Sequence, residues 1–159
     1  MNKIFEIKKF YTFVFIISLL SLLIALYIEF FLKYAPCKLC IYQRIPYLIS
    51  IFITFLGISY SKNLVWLYAL LLIFFSSFLI SGYHFGIEQE IFKEFSGCTT
   101  NSMNIIDKNE LLKLLNTEVK SCKNVEFRIL GLSLASINFL LSFFIFILIL
   151  KVIKNEKNR

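Results

Sequence analysis

Four long apolar runs constrain the fold of this chain of 159 residues more than any other feature. They extend over Phe10 to Leu32, Ile45 to Tyr60, Leu64 to Tyr83 and Ile129 to Leu150. An α-helix rises about 1.5 Å per residue, so a helix of roughly 20 apolar residues crosses the ~30 Å hydrocarbon core of a bilayer. A soluble domain of this size could not bury a chain that is 58% hydrophobic. The runs therefore predict membrane-spanning helices.

The expected fold class is an all-α integral membrane protein, a four-transmembrane-helix bundle that forms one membrane domain over residues 1–159. The second apolar run has only sixteen residues, and it reaches full length if its helix begins near Cys37. We place the spans at about 10–32, 41–60, 64–83 and 129–150, which leaves a long outer loop over 84–128.

The outer loop contains a pattern that is typical of a short surface helix. Asp107 and Glu110 form a capping box, and an amphipathic stretch follows with Leu111, Leu115 and Val119 on one face. This stretch is too short and too charged to span a bilayer. We therefore expect an amphipathic helix that lies on the membrane surface.

The distribution of charge indicates how the chain is inserted. A net charge of +7 would suggest nucleic acid in a soluble protein, but here the basic residues gather in the two tails and the turn at Lys62. Those segments hold eight Lys/Arg and two acids, whereas 84–128 holds six Lys/Arg and seven acids. The positive-inside rule then places both termini in the cytoplasm and the loop outside, although Lys33, Lys38 and Arg44 run against it. We expect no nucleic-acid partner.

One stretch carries redox chemistry: Pro36-Cys37-Lys38-Leu39-Cys40-Ile41-Tyr42-Gln43-Arg44. Pro36 suits the first position of a helix or the residue just before it. If a helix starts there, Cys37 and Cys40 lie on one face of its first turn, within reach of a disulfide. The positive helix end and Arg44, four residues after Cys40, both favour a thiolate at Cys40. A thiolate at a membrane boundary indicates a redox function.

Two polar positions have two interpretations each, and two tyrosines have one. His84, the only histidine, ends the third run at the expected depth of Cys40, where it is either an interfacial anchor or part of the site. Glu29 is expected to be solvated at the interface, with proton handling as the alternative. Tyr42 and Tyr47 are expected in the aromatic belt of the membrane interface.

The four cysteines permit three disulfide pairings. Only Cys37 and Cys40 are close in sequence, which makes Cys98 and Cys122 the natural second pair. A structural loop disulfide would stabilise the fold by about 3–4 kcal/mol in the loop-entropy model. A zinc site is a second interpretation, although the paired C-x-x-C knuckles of structural zinc sites are missing. The redox interpretation uses all four sulfurs, because a dithiol at the bilayer and a loop pair can exchange with each other.

The sequence resembles the DsbB family of disulfide-forming membrane proteins. The resembling residues are the stretch 36–44, the segment Tyr83-His84-Phe85-Gly86-Ile87-Glu88, the isolated Cys98, and Cys122 followed by Phe127-Arg128-Ile129-Leu130-Gly131-Leu132-Ser133. With the four spans, the resemblance covers nearly the whole chain. Two features depart from it, since Phe127 stands where the family often has Trp and the segment between the loop cysteines is specific to this chain.

The resemblance implies an enzyme of the bacterial inner membrane with its redox cysteines on the periplasmic side. It would reoxidise a DsbA-like periplasmic thiol oxidant and pass the electrons to a membrane quinone, ubiquinone or menaquinone. The reduced partner would attack Cys98, and Cys122 would then return electrons to Cys37, with Cys40 as the thiolate next to the quinone. Arg44 would hold the quinone and stabilise charge on it.

The same resemblance would put His84 near the quinone headgroup. Three alternatives remain open at this point: a DsbI-like oxidase with one dedicated substrate, a non-catalytic membrane protein with a structural disulfide or a metal site, and a protein similar to vitamin K epoxide reductase. In that last family the loop pair precedes the C-x-x-C in the chain, whereas here Cys98 and Cys122 follow it.

Overall fold

A computed structural model describes residues 3–61, 63–93, 122, 128–129 and 131–158. The described residues form four long helices and a short antiparallel hairpin. The helices are α1 (Lys3–Phe30), α2 (Lys38–Ser59), α3 (Val65–Glu88) and α4 (Leu134–Lys157), and the strands are β1 (Arg128–Ile129) and β2 (Leu132–Ser133).

All four helices are long and apolar enough to cross a membrane. Large apolar side chains remain exposed along each helix, which suits contact with lipid rather than with water. The predicted four-helix membrane bundle is therefore confirmed. The predicted surface helix, which begins near Asp107, lies outside the described residues, and the single-domain boundary stays a prediction.

Two helix boundaries differ from the predicted spans. The third helix continues past the predicted end at residue 83 as far as Glu88, so His84 lies inside a helix. The last helix begins at Leu134 instead of 129, because the hairpin occupies the preceding residues and Gly131 turns the chain with a φ of 83°. Ser133 then caps the helix, since its Oγ accepts the backbone N–H of Ser136 at 3.0 Å.

The helices pack in a simple arrangement in which α1 contacts α2, α2 contacts α3 and α3 contacts α4. The main apolar core includes Tyr11 and Phe74, both fully buried. At Gly57 the helices α1 and α2 approach closely, and a Cβ added there would lie 2.6 Å from the Tyr11 ring. This close approach leaves the inner part of the bundle well packed.

A second, smaller buried cluster lies at the end of the bundle where α2 begins and α3 ends. It contains Cys37, Leu39, Ile87 and Cys122, with Cys40 and Tyr83 packed against it. The fold thus brings the start of α2, the end of α3 and a loop cysteine into one place.

Candidate active site

The start of α2 orients the C-x-x-C pair. Cys37 is the N-cap residue, and its Sγ accepts the backbone N–H of Cys40 at 3.2 Å. A side chain at this position satisfies one of the free N–H groups of the first turn. Both cysteines are free thiols, and their Sγ atoms are 2.7 Å apart. Only a small movement would close a disulfide between them.

Hydrogen bonds in this dithiol converge on the sulfur of Cys37. The pKa of Cys37 falls from 9.0 to about 5, chiefly because the Cys40 thiol donates to its sulfur. Burial opposes this shift, and His84 adds to it through a hydrogen bond and, when the imidazole is protonated on both nitrogens, through its charge. The reduced pair therefore favours a thiolate on Cys37, whereas the sequence argument placed the thiolate on Cys40.

A third sulfur lies beside this pair. The Sγ atoms of Cys37 and Cys122 and a ring nitrogen of His84 lie within 4.8 Å of one another, and all three residues are buried. Cys122 is disulfide-bonded in this state. Cys98, the expected second loop cysteine, lies outside the described residues. A disulfide sulfur next to a free thiol of low pKa is the arrangement that thiol–disulfide exchange requires.

These three residues are also of the types that bind metals. Cysteine binds a metal ion as a thiolate, and histidine binds it as a neutral imidazole. The sulfur of Cys122 is held in a disulfide instead. In this state the cluster offers one thiolate, from Cys37, and one imidazole, from His84. The donor set thus suits redox exchange better than the four-thiolate zinc site considered from the sequence.

His84 faces the dithiol and not the membrane interface. The residue is only 2% exposed, and its Nε2 lies 3.7 Å from the Sγ of Cys37 and 3.7 Å from Oε1 of Glu88. The other ring nitrogen, Nδ1, lies 3.0 Å from Nε2 of Gln43. Of the two interpretations of this histidine, the geometry favours membership of the site over interfacial anchoring.

A chain of buried polar side chains continues from His84 into the bundle. Asn138 Nδ2 donates to Gln43 Oε1 at 3.0 Å, and the Tyr47 hydroxyl donates to Asn138 Oδ1. The Tyr47 hydroxyl also lies 3.2 Å from Ser142 Oγ. The expectation that Tyr47 belongs to the interfacial aromatic belt is wrong, because Tyr47 is 4% exposed and its ring packs edge-on against a core phenylalanine.

Sequence reasoning missed Gln43, Glu88 and Asn138 as members of the site. A signal was available, since polar side chains inside apolar spans are costly unless they have a partner and a role. Their partners could not be found in this way. Gln43 and Asn138 are 95 residues apart in the chain, and only the packed bundle shows that they meet.

The other side of the C-x-x-C turn carries an ion pair. Arg44 Nη1 donates to Oε2 of Glu29 on α1, and the two side chains are 22% and 28% exposed. Glu29 is therefore paired with the cation that lies one turn after Cys40, rather than free at the interface.

The residues around this ion pair fit a quinone. Cys40 and Arg44 share a face of α2, and the large apolar side chains of Ile41 and Ile45 beside them are exposed. Exposed apolar side chains suit a lipid-soluble ring, and a guanidinium can donate hydrogen bonds to carbonyl oxygens. The donor set thus matches an apolar ligand that carries polar oxygens.

Comparison with known proteins agrees with this chemistry. The family model described as "Disulfide bond formation protein DsbB" matches residues 8–152. The chain is also similar to Uncharacterized protein RP370 of Rickettsia prowazekii (strain Madrid E), with 30% identity over 132 residues, which cover 79% of this chain and 76% of that protein.

Proposed function

Since the chain belongs to the DsbB family of disulfide bond formation proteins, we propose that it is a membrane thiol oxidase that reoxidises a DsbA-like thioredoxin-fold partner and delivers the electrons to a quinone. The observation that carries this proposal is that a disulfide-bonded cysteine lies beside a free cysteine thiol. The disulfide-bonded Cys122 and the free Cys37 have their sulfurs within 4.8 Å of each other. Electron transfer between cysteine pairs needs this proximity.

The first half of the reaction consumes the loop disulfide. A thiolate of the reduced partner attacks Cys98, so a partner–Cys98 bond forms, the Cys98–Cys122 bond breaks and Cys122 leaves as a thiolate. The second thiol of the partner loses its proton and attacks its own bonded sulfur. This closes the partner disulfide and releases Cys98. The partner has then lost two electrons and two protons.

The second half moves these electrons to the C-x-x-C pair. The Cys122 thiolate attacks Cys37 of a Cys37–Cys40 disulfide, and Cys40 leaves as a thiolate. Cys98 then attacks Cys122, which restores the loop disulfide and releases Cys37. The product state has a disulfide at Cys122 and two reduced thiols, and the described cysteines match it.

The quinone supplies a lipid-soluble acceptor for the two electrons and two protons of the reduced dithiol. Arg44 would hold it, because its guanidinium is half-buried beside Cys40 and can donate to a ligand oxygen. Cys40 is the more exposed sulfur of the pair and shares a helix face with Arg44. We therefore place the acceptor on the Cys40 side of the turn.

A direct assay tests the proposal. Purified protein, a reduced thioredoxin-fold oxidant and a short-chain ubiquinone or menaquinone should give loss of the quinone absorbance, and Cys40→Ser should abolish it. Ser50→Ala is the matched control. Ser50 is also a buried residue of α2, but its hydroxyl donates a hydrogen bond to Ser18 and not to the dithiol. Unchanged turnover in Cys40→Ser would overturn the proposal. Activity with one partner only would identify an oxidase with a dedicated substrate.

We further propose that both termini are cytoplasmic, in the inner membrane of a bacterium, and that the redox cysteines are periplasmic. This orientation follows from the basic tails and the turn at Lys62. Reporter fusions at Lys62 and at Asn109 should give opposite locations, the first cytoplasmic and the second periplasmic. Matching locations at the two sites would contradict the topology.

A further inference from the structure

The two ring nitrogens of His84 face groups of opposite hydrogen-bonding character. Nδ1 lies 3.0 Å from the amide nitrogen of Gln43, which can only donate. Nε2 lies 3.7 Å from the sulfur of Cys37 and 3.7 Å from a carboxylate oxygen of Glu88, and both of these accept when ionised. The surroundings therefore require an acceptor at Nδ1 and a proton at Nε2.

The orientation of the Gln43 amide is itself determined by its neighbours. Its Oε1 accepts from Nδ2 of Asn138 at 3.0 Å, which leaves its NH₂ group for His84. Asn138 is oriented in turn by two hydroxyl groups, because Tyr47 donates to its Oδ1 and Ser142 Oγ lies 3.4 Å from the same atom. The hydrogen bonds thus run in one direction from α4 through α2 to α3.

We propose that Gln43 and Asn138 are positioning residues that hold His84 in the tautomer protonated on Nε2, so that this N–H is aimed at the sulfur of Cys37. The inference deepens the proposed function, since it concerns the same dithiol. It can nevertheless be tested without turnover, because the tautomer of a histidine is a property of the resting protein.

The proposed tautomer has a clear electrostatic consequence. With the proton on Nε2, the imidazole donates toward a Cys37 thiolate and the carboxylate of Glu88. With the proton on Nδ1, a ring lone pair would face both anions, and the Gln43 amide would have no acceptor in the ring. Burial makes such an unpaired polar group costly.

The titratable and charged groups around Cys37 come from every described element that surrounds it. Cys40, His84 and Glu88 interact with Cys37 itself, Arg128 at the start of the hairpin acts on Glu88, and Arg44, paired with Glu29, acts on Cys40. Lys38 is the neighbour of Cys37 in the chain and is exposed. Gln43 and Asn138 carry no charge. A change in thiolate behaviour on altering either one would therefore act through His84.

The sole histidine of the chain makes the tautomer directly measurable. Two-bond ¹H–¹⁵N spectra of histidine-labelled, quinone-free protein reduced with dithiothreitol, recorded at a pH above the titration of the imidazole, should show an unprotonated Nδ1 and a protonated Nε2. Gln43→Glu should put a proton on Nδ1, because a carboxylate accepts where the amide donated. Asn138→Leu should give a mixture of tautomers, since the Gln43 amide is then free to turn.

A second measurement follows the pH at which the Cys37 thiol ionises. Peptide-resolved iodoacetamide labelling of Cys37 against pH should move its midpoint upward by about one pH unit in Asn138→Leu. Ser50→Ala removes a buried hydroxyl on the same helix but has no contact with His84, so it should change neither spectrum nor midpoint.

A proton on Nδ1 in the unaltered protein would overturn the inference, as would an Asn138→Leu protein with the native spectrum. An Asn138→Leu protein that fails to fold leaves Gln43→Glu and the unaltered protein to decide the question. A correct tautomer in a protein that reduces no quinone would refute the proposed function alone. A wrong tautomer in an active enzyme would refute this inference alone.

Discussion

Cys37 and Cys40 are three residues apart, and their surroundings differ sharply. The sulfur of Cys37 is buried within 4.8 Å of Cys122 and His84. Cys40 is more exposed and shares a helix face with Arg44, whose ion pair with Glu29 is about one quarter exposed. The Cys37 side of the turn thus lies next to the sulfur of Cys122, and the Cys40 side faces the apolar exterior of the bundle.

The two sides also differ in how readily their contacts can be exchanged. Hydrogen bonds around His84 are buried, and leaving one such group unpaired costs about 1–3 kcal/mol. The side chains of the Arg44–Glu29 pair are 22% and 28% exposed, so a ligand can reach the guanidinium and replace Glu29 as the acceptor. The comparison teaches that the protein-facing side is fixed, whereas the membrane-facing side is available to a mobile ligand.

The largest expected effect tests whether Cys122 is the loop cysteine that passes electrons to the buried Cys37. The partner is used with its second cysteine replaced by Ala and its first cysteine carried as a mixed disulfide with thionitrobenzoate. In Cys122→Ser the Cys98 thiolate should attack this partner sulfur, thionitrobenzoate leaves, and the partner should remain trapped on Cys98 as a mixed disulfide, because the Cys122 thiol that would attack Cys98 and release the partner is absent. A non-reducing gel would show the adduct. Cys98→Ser is the matched control and should accumulate none. Trapping on Cys122 instead would reverse the proposed order of electron flow.

A smaller but still large effect is expected on the membrane-facing side. Arg44→His should raise the apparent quinone KM by about 10- to 100-fold, because a charge-assisted hydrogen bond is lost. The KM for the thiol partner should stay the same. Lys38→His changes an exposed cation near the same helix start and should have little effect on either value. A normal quinone KM in Arg44→His would show that the guanidinium only contacts lipid headgroups.

The acid dissociation constant of the buried Cys37 thiol is expected to change about tenfold when His84 is replaced. Labelling of Cys37 in the reduced protein should reach half its maximum near pH 5, compared with 9.0 for an ordinary thiol. His84→Ala should move this midpoint upward by about one unit, since a donor is removed.

The same lowered pKa has a consequence for stability. The thiolate stabilises the folded reduced protein fully above about pH 9, and this contribution is lost as the pH falls through about 5. Site-resolved labelling with a midpoint near 9 would contradict the hydrogen bonding described for Cys37.

The smallest effect concerns Glu29. Glu29→Gln should lower the quinone KM by about two- to threefold, because Arg44 then has no anion to leave when a ligand binds. Glu6→Gln, an exposed carboxyl group on the same helix, should leave the KM unchanged and serves as the control. An increase in KM would mean that Glu29 orients the guanidinium for the ligand instead of competing with it.

The four helices could be predicted from the sequence, because their apolar runs are long enough to be read without knowledge of any contact. The helix boundaries were less accurate. Polar residues at the end of α3 are compatible with either a loop or a helix, and packing of His84 against Cys37 favours the helix. The hairpin before α4 depends on the positive φ at Gly131, which an apolar run does not indicate.

Within the site, the sequence predicted the residues whose role depends on local spacing. Cys37 and Cys40 belong to this group, since the turn of a helix start brings them together. Gln43 and Asn138 do not, because their roles depend on contacts across three helices. The partner of Arg44 was missed for the same reason, as Glu29 reaches it from another helix.

The hairpin at the start of α4 determines how far Cys122 can travel. Ser133 Oγ donates to Glu88 Oε2, so the end of the hairpin is fastened to α3 beside the dithiol. Arg128 is the sixth residue after Cys122, so the chain between them reaches at most about 20 Å. Tethering of this kind gives an effective concentration on the order of millimolar or higher. A free thiol in the surrounding solution would have to reach a similar concentration to compete with Cys122 for Cys37.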